Sequence, residues 1–357
     1  MIKILKGHWP IALLCLVFFV LSLWNLGSHH LPETGWKTQN SSADFYLQLE
    51  KETHLDYLFL FIEDDRQVNL EVFSGKPDSW VKTGELNVSG AWKQWHRVSL
   101  NIDTQYLDIV FKDTTAELGE IALFSNGKPV PVKKLVPLRG ANGMENLIDE
   151  PQILTSLPSF KDQSYFDEVY FARAGEEYLT DKVPFEWSHP PLGKLIISSG
   201  ILFSGSNPFA WRITGVIVSA VTILLVYLIG LRMFGTRGAW IAAFLLSFDF
   251  MHFTESRLAT GETFIFFFVV LMFLFFLRYY QDPEKSPLFL FLSLVAFGLG
   301  FATKWVTFNS LTGLLILLFI IRGKKLFQRR DLAALILGGM AAVLIYALSF
   351  IPDLLVG

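Results

Sequence analysis

Long apolar segments constrain the fold of this chain more than any other feature. A helix needs about 17–25 apolar residues to cross a hydrocarbon core roughly 30 Å thick. Segments of about this length lie near 9–26, 208–231, 238–254, 262–280, 287–303, 306–321 and 332–351. Of the 357 residues, 52% are hydrophobic, and these are concentrated in blocks. We therefore predict a polytopic α-helical membrane protein with about seven transmembrane helices.

The first apolar segment has two interpretations. The basic stretch "MIKILK" resembles the start of a secretory signal peptide. However, "WPIALLCLVFFVLSLWNL" is longer than most signal-peptide cores, and "NLGSHHLPE" contains no small-x-small cleavage site. We favour a transmembrane anchor over a cleaved signal peptide.

Charge and cysteine usage exclude some classes of protein. The net charge of −3 is too small to indicate a nucleic-acid partner. The single cysteine, Cys15, lies inside the first apolar segment, so neither a disulfide framework nor a cysteine metal site is expected.

Lysines and arginines predict the orientation. Lys3 and Lys6 and the segments "RMFGTR", "RYYQDPEK" and "RGKKLFQRR" fall on one side if the helices alternate. Short basic loops are typically cytoplasmic, so the N-terminus is expected inside. The region from 28 to about 207 and the turns "TESRLATGE" and "ATKWVT" are then outside, and their charged residues share one face.

The outer region has two parts. Six alternating runs, "DFYLQLE", "LDYLFLFIE", "QVNLEVFS", "HRVSLNI", "YLDIVFK" and "LGEIALFS", are bounded by turn residues and predict an extracytoplasmic β-sandwich. Trp80, Trp92 and Trp95 could stack on sugar rings, although packing in the core or rim of the sandwich is the better explanation for any one of them. We predict an anchor at 1–27, the sandwich at 28–140, an outer linker with juxtamembrane helices at 141–206, and a helical bundle at 207–357.

Several charged residues near the predicted spans are candidates for a site. Asp167 and Glu168 follow Ser164 as in a helix capping box, and adjacent helical side chains point about 100° apart, so the two acids should have different tasks. His189 precedes two prolines that could simply start a helix. Arg212 could reach the headgroups or hold a phosphate. Together these residues indicate a polar site at the lipid boundary.

Three motifs carry a resemblance to a known family. "YFDEVYFARAGEEYL", "WSHPPLGKLIISSGILFSGSNPFAWR" and "SFDFMHFTESRLATGETFIFFF" resemble the protein O-mannosyltransferases, especially the bacterial ones, over roughly 164–304. These are polytopic GT-C-type glycosyltransferases that use lipid-phosphate sugars. The sandwich lies outside that common core.

The resemblance implies transfer of mannose or a similar hexose, with inversion, from a polyprenyl phosphate to a hydroxyl, usually of protein Ser or Thr. Asp167 would be the catalytic base, with Glu168 positioning neighbouring groups. Arg212 would stabilise the leaving phosphate, as phosphate needs a cation more than a proton. The remaining substrate-binding residues would be His189, Lys194, Arg257 and Glu262. No cofactor and no metal is expected, and the location would be the plasma membrane.

Two departures from the family and several alternatives remain. Glu262 stands where relatives usually carry Asp, and the family typically has about eleven spans. This chain would then be an N-terminal portion, and either an inactive fragment or a membrane-anchored carbohydrate-binding protein is the alternative function. A transporter would show paired repeats, and none is found in the sequence. The acceptor (protein or glycan), the sugar and the existence of an oligomer stay open.

Overall fold

A computed structural model describes residues 9–37, 42–112, 117–139, 143–282 and 287–356. Lys3 and Lys6 and part of the "RYYQDPEK" loop, on which the orientation prediction depends, lie outside these ranges. The chain divides into two compact units. The sheet unit comprises Gly27–Val169, and the helical unit comprises Met1–Leu26 with Tyr170–Gly357.

The sheet unit is built from eight antiparallel strands in its described part. They are β1 (Trp36–Lys37), β2 (Ser42–Ile62), β3 (Val68–Lys76), β4 (Ser79–Val88), β5 (Gln94–Lys112), β6 (Glu117–Ser125), β7 (Lys128–Val130) and β8 (Lys134–Arg139). The spatial order is β1-β6-β2-β5-β3-β4, with β7 beside β6 and β8 beside β2. A sandwich of two separate sheets is not confirmed, since these strands form one sheet.

Two pairs of predicted short strands are in fact two long strands. The runs "DFYLQLE" and "LDYLFLFIE" are joined, because β2 continues between them with a register shift against β5 between Gln48 and Thr53. Such a bulge bends a strand without ending it. The first part of β2 pairs with β8 and its last part with β6, so one strand serves both halves of the sheet.

Alternation along the strands produces the core of the sheet unit. Phe45, Leu47 and Leu49 are buried at every second position of β2 and join one apolar cluster with residues of β3, β5 and β6. Trp92 and Trp95 are only 6% and 7% exposed, as packing within the sheet unit would require. Trp80 is half-exposed, with its ring 6.0 Å from that of Tyr46.

The helical unit contains ten α-helices within its described residues. They are α1 (Pro10–Leu23), α2 (Glu168–Leu179), α3 (Leu192–Ser204), α4 (Pro208–Ser247), α5 (Phe250–Glu255), α6 (Glu262–Gln281), α7 (Pro287–Phe301), α8 (Thr307–Arg322), α9 (Arg329–Ser349) and α10 (Ile351–Val356). Helix α2 begins with the last two residues of the sheet unit.

Four helical stretches are long and apolar enough to cross a membrane: Pro208–Ser247, Glu262–Gln281, Thr307–Leu326 and Arg329–Val356. Three shorter apolar helices, α1, α3 and α7, accompany them. The helical unit is therefore that of a multi-pass membrane protein. The predicted number of seven spans is not confirmed.

Helix α4 reverses direction in its middle. Gly235 has a φ of 71° and a ψ of −170°, which is not helical. A Cβ added to Gly230 would lie 2.8 Å from the Cα of Ala239, and the rings of Tyr227 and Trp240 are 5.2 Å apart. Nine residues of a straight helix would span about 13.5 Å. The two halves of α4 therefore pack against each other as a hairpin, which agrees with separate predicted segments at 208–231 and 238–254.

Candidate functional site

Three polar turns of the helical unit meet at one end of its helices. The backbone N–H of Leu192 donates to the Ala302 carbonyl at 3.0 Å. A Cβ added to Gly193 would lie 2.9 Å from Cγ2 of Thr303. The Lys304 ammonium lies 2.6 Å from Oε1 of Glu262. The turns around residues 189, 260 and 303, which the sequence placed on one side, are thus brought together.

Glu186, which the sequence analysis did not single out, organises the loop before α3. Its Oε1 accepts hydrogen bonds from the backbone N–H groups of Ser188 and His189, at 2.8 and 3.1 Å. The His189 ring places Nδ1 3.0 Å from the same oxygen. Lys194 is fully buried, and its Nζ lies 2.5 Å from Oε2 of Glu186.

Lys194 also donates to the backbone carbonyls of Glu186 and His189, at 2.5 and 2.9 Å. Burial by itself would raise the pKa of the Glu186 carboxyl, but hydrogen bonds from Lys194 and Ser188 outweigh it and lower the pKa to about 2. Lys194 and Glu186 therefore form a buried ion pair, here termed the loop lock, that fixes the loop carrying His189.

Arg212 of α4 and Arg257, in the turn after α5, converge on the residues that directly follow α1. Arg212 is 1% exposed, and its Nη1 donates to the Leu26 carbonyl at 2.8 Å. Arg257 donates from Nη2 to the carbonyls of Trp24 and Asn25, at 2.8 and 2.9 Å. Carbonyls at a helix C-terminus carry partial negative charge, so they are natural partners for guanidinium groups.

Arg257 differs from Arg212 in its surroundings. It is half-buried, its guanidinium lies 5.1 Å from the ring centre of Phe253, and its buried Nε has no hydrogen-bond partner among the described residues. Arg257 therefore retains donor capacity that the backbone carbonyls do not use.

An apolar groove of about 380 Å³ ends at Arg257. It is lined by Leu14, Val17, Phe18, Leu21 and Trp24 on one side and by Phe248, Phe250, Phe253 and Arg257 on the other. Asp249 also borders it and caps α5 by accepting from the His252 backbone N–H at 2.7 Å. This groove combines a hydrocarbon-like wall with one cationic end.

A second cavity of about 340 Å³ borders α5 and the start of α6 and is lined by several ionisable side chains. Glu262, Glu255, Asp249 and His252 all border it. Asp249 lies between α4 and α5 and is the N-cap residue of α5.

The predicted catalytic pair lies in the sheet unit, in different settings. Glu168 is fully buried and its Oε2 accepts from the Tyr165 backbone N–H at 2.9 Å. Ser164 donates instead to the Trp92 carbonyl, at 2.5 Å, so the predicted Ser164–Asp167 capping box is replaced by a bond one residue later. Asp167 is half-buried, and no described residue of the sheet unit donates a hydrogen bond to its carboxylate.

The residue before Asp167 has an unusual backbone. Phe166 has a φ of 56°, in the left-handed region that bulky residues avoid, and its side chain is exposed. Strain of this kind costs on the order of 1–3 kcal/mol and tends to persist at functional sites. It turns the chain immediately before Asp167.

Part of the helical unit is similar in sequence to known mannosyltransferases. Residues 188–350 match the family model described as Dolichyl-phosphate-mannose-protein mannosyltransferase. The polyprenol-phosphate-mannose–protein mannosyltransferases of two Mycobacterium tuberculosis strains are each 32% identical to this chain over 167 residues. The resemblance of this part of the chain to the protein O-mannosyltransferase family is thereby confirmed.

The matched region is a limited part of each protein. It covers 43% of this chain and 32% of each Mycobacterium relative, so the chain spans about a third of the length of the curated relatives it matches. Two crystal structures of ArnT from Cupriavidus metallidurans, one apo and one bound to undecaprenyl phosphate, are similar with a TM-score of 0.45 and 19% identity. They cover 53% of this chain and 37% of ArnT.

Proposed function

We propose that this chain is part of an inverting GT-C-type glycosyltransferase that takes a sugar from a polyprenyl-phosphate carrier. The observation that carries the proposal is the apolar groove that ends at Arg257. A polyprenyl phosphate is a long hydrocarbon with an anionic head. The groove offers apolar side chains to the hydrocarbon, and Arg257 offers unused donors to the phosphate.

The two arginines take different roles in this proposal. Arg212 is almost fully buried and bonded to the Leu26 carbonyl, so we assign it to holding the end of α1 beside the groove. Arg257 becomes the main phosphate ligand. A buried donor without a partner is costly, and a phosphate oxygen at Nε would remove that cost.

The loop lock positions the remaining substrate-binding residues. Lys194 is enclosed by Glu186 and two carbonyls, so it supports the site through His189 instead of contacting the substrate directly. Glu262, paired with Lys304, lines the second cavity and is assigned to substrate binding there.

Asp167 remains the proposed catalytic base. In the transfer, an acceptor hydroxyl oxygen attacks the anomeric carbon while the bond from that carbon to the phosphate oxygen breaks. The phosphate leaves with the electron pair, and the base takes the hydroxyl proton. The Glu168 carboxylate accepts a hydrogen bond from the Tyr165 backbone N–H, which supports a positioning role.

The name of the matched relatives supports mannose as the sugar and protein as the acceptor. A Ser or Thr hydroxyl as the acceptor group is what the sequence resemblance implies. The predicted charge distribution supports a cytoplasmic N-terminus and transfer on the outer face. The proposed location is the plasma membrane, as the sequence resemblance implies. No metal or other cofactor is assigned to the transfer step.

The groove assignment is tested by binding. Radiolabelled polyprenyl phosphate is titrated onto the detergent-solubilised full chain carrying Arg257→Gln, with the exposed Arg237→Gln as the matched control. Loss of a charged hydrogen bond of about 1.5–3 kcal/mol predicts roughly 10- to 150-fold weaker binding for Arg257→Gln alone. Equal affinity of the two variants would refute the assignment.

The transfer reaction is tested separately. Membranes containing the chain are incubated with radiolabelled polyprenyl-phosphate-mannose and a Ser/Thr-rich peptide, and Asp167→Asn is compared with the exposed Asp181→Asn. We expect the first variant alone to abolish transfer. If neither wild type nor variants transfer while a version extended to the family's length does, the chain is a portion of the enzyme. Activity that survives Asp167→Asn would exclude Asp167 as the base.

A further inference from the structure

Three carboxylates converge in the sheet unit, away from every residue used above. Glu120 comes from β6, and Asp149 and Glu150 follow the 3-10 helix Met144–Leu147. One carboxylate oxygen from each residue lies within 4.8 Å of the others. About 30 residues of sequence separate β6 from the other two, so the fold itself brings the group together.

Glu120 is the unusual member of the group. It is 2% exposed, and its Oε2 accepts a hydrogen bond from the Glu150 backbone N–H at 3.2 Å. Its Oε1 is buried and has no hydrogen-bond partner among the described residues. An ionised carboxylate in such a position is strongly unfavourable unless a positive charge compensates it.

The other two carboxylates are held in place by neutral donors. Thr34 Oγ1 lies 2.9 Å from Oδ1 of Asp149 and 3.1 Å from Oε2 of Glu150. The backbone N–H groups of Glu33 and Thr34 donate to the same Glu150 oxygen, at 2.9 and 3.1 Å. These bonds fix the acids without neutralising them, and no ion pair within the described ranges joins the group to a basic side chain.

The electrostatic consequence is a shared need for positive charge. Burial, together with the neighbouring Asp149 and Glu150, raises the pKa of the Glu120 carboxyl to about 8. Either a proton or a metal cation can relieve the repulsion. A cation relieves it for all three carboxylates at once, whereas a proton neutralises only one.

We propose that Glu120, Asp149 and Glu150 bind a divalent cation with the chemistry of Ca²⁺. The group offers only hard oxygen ligands, which suit Ca²⁺ and Mg²⁺ rather than Zn²⁺. Ca²⁺ accepts irregular sets of six to eight oxygens, whereas Mg²⁺ demands a near-ideal octahedron. Asp149 is exposed, so water can supply further oxygen ligands.

The cation would tie three separate pieces of chain together. Strand β6 supplies Glu120, the segment after the 3-10 helix supplies Asp149 and Glu150, and the turn at Thr34 holds both of these acids. The site therefore stabilises the end of the sheet unit and is independent of the proposed transfer reaction.

The test is calorimetric titration of Ca²⁺ onto the purified full chain after chelation of divalent ions at neutral pH. We expect one Ca²⁺ per chain and an increase in the Tm of the sheet unit. Glu120→Gln and Asp149→Asn should each weaken binding at least 10-fold. Glu52→Gln, at an exposed acid of the same unit, is the matched control and should bind like wild type.

Asp149 is exposed, so its variant keeps the test valid even if Glu120→Gln does not fold. Absence of saturable Ca²⁺ binding to folded wild type would overturn the proposal and assign a proton to Glu120. Unchanged affinity in both variants would place any bound Ca²⁺ elsewhere, and tighter binding of Mg²⁺ than Ca²⁺ would overturn the choice of ion.

Discussion

Replacing Lys194 by Met should destabilise the protein, because it removes the ion pair that fixes the loop carrying His189. Methionine keeps an unbranched apolar stem but removes the ammonium that contacts the Glu186 carboxylate and two carbonyls. Removing one partner of a buried ion pair costs about 3–5 kcal/mol, because the other charge stays buried without compensation. We expect this loss in the free energy of unfolding of Lys194→Met.

The pKa of Glu186 gives a second route to the magnitude. Its folded-state pKa of about 2 lies below the ordinary value of about 4.3 for an unfolded chain. Its contribution to stability is therefore fully present above that unfolded value and is lost as the pH falls through about 2. The size of this contribution is about 3 kcal/mol, which agrees with the cost of breaking the pair.

The assay is unfolding of the full chain in mixed micelles of dodecyl maltoside and SDS, followed by tryptophan fluorescence. Lys182→Met, at an exposed lysine of the same region, is the matched control and should cost little. Combining Lys194→Met with Glu186→Gln should recover about 2 kcal/mol relative to the sum of the single changes. A loss of less than about 1 kcal/mol in the free energy of unfolding of Lys194→Met would refute the stabilising role of the ion pair. Strict additivity of the two single changes in the double variant would refute it too.

Three further outcomes are expected from the same kind of measurement. In the cation-free protein, the folded-state pKa of Glu120 is about 8, which is above its unfolded value of about 4.3. The stability that Glu120 contributes is therefore complete below about pH 4.3 and is lost as the pH rises to about 8. Glu120→Gln should abolish this loss, which could reach about 5 kcal/mol, and a persisting loss would assign it to another group. Gly235→Ala should cost about 1–2 kcal/mol through its positive φ alone, since nothing lies within 4 Å of an added Cβ; an unchanged unfolding midpoint would contradict the turn. Gly230→Val should cost about 1–3 kcal/mol, because its added atoms would overlap Ala239, and tolerance of valine would argue against the hairpin.

The sequence predicts the helical unit well because bilayer thickness imposes a visible length on each apolar segment. The reversal at Gly235 lies between two predicted segments, where "RMFGTR" interrupts the apolar pattern. Strand boundaries were harder to predict. The charged stretch "EKETH" interrupts the alternating pattern, yet β2 continues through it with a register shift, and an interrupted pattern does not distinguish a bulge from a turn.

The candidate site was only partly visible in the sequence. His189, Lys194 and Glu262 were assigned to substrate binding through the resemblance of their motifs to the protein O-mannosyltransferases. Glu186 was not singled out, since an acid in an aromatic loop carries no periodic signal and its partner is eight residues away.

Groups formed by long-range contacts were also hidden. Glu120 looks like one polar position among others in an alternating strand, and only the fold shows that it is buried beside Asp149. Arg212 was singled out correctly as unusual, but a sequence cannot show that its guanidinium meets the carbonyl of Leu26.

The two arginines on the end of α1 have a consequence for the order of assembly during synthesis. Arg212 is 186 residues from its acceptor carbonyl, and Arg257 is 233 and 232 residues from its two acceptors. At 5–20 residues per second, α1 waits on the order of 10–50 s before Arg257 is made. The whole sheet unit is synthesised within that interval and can fold first. The arginine contacts that hold the end of α1 can therefore form only after the sheet unit has been synthesised.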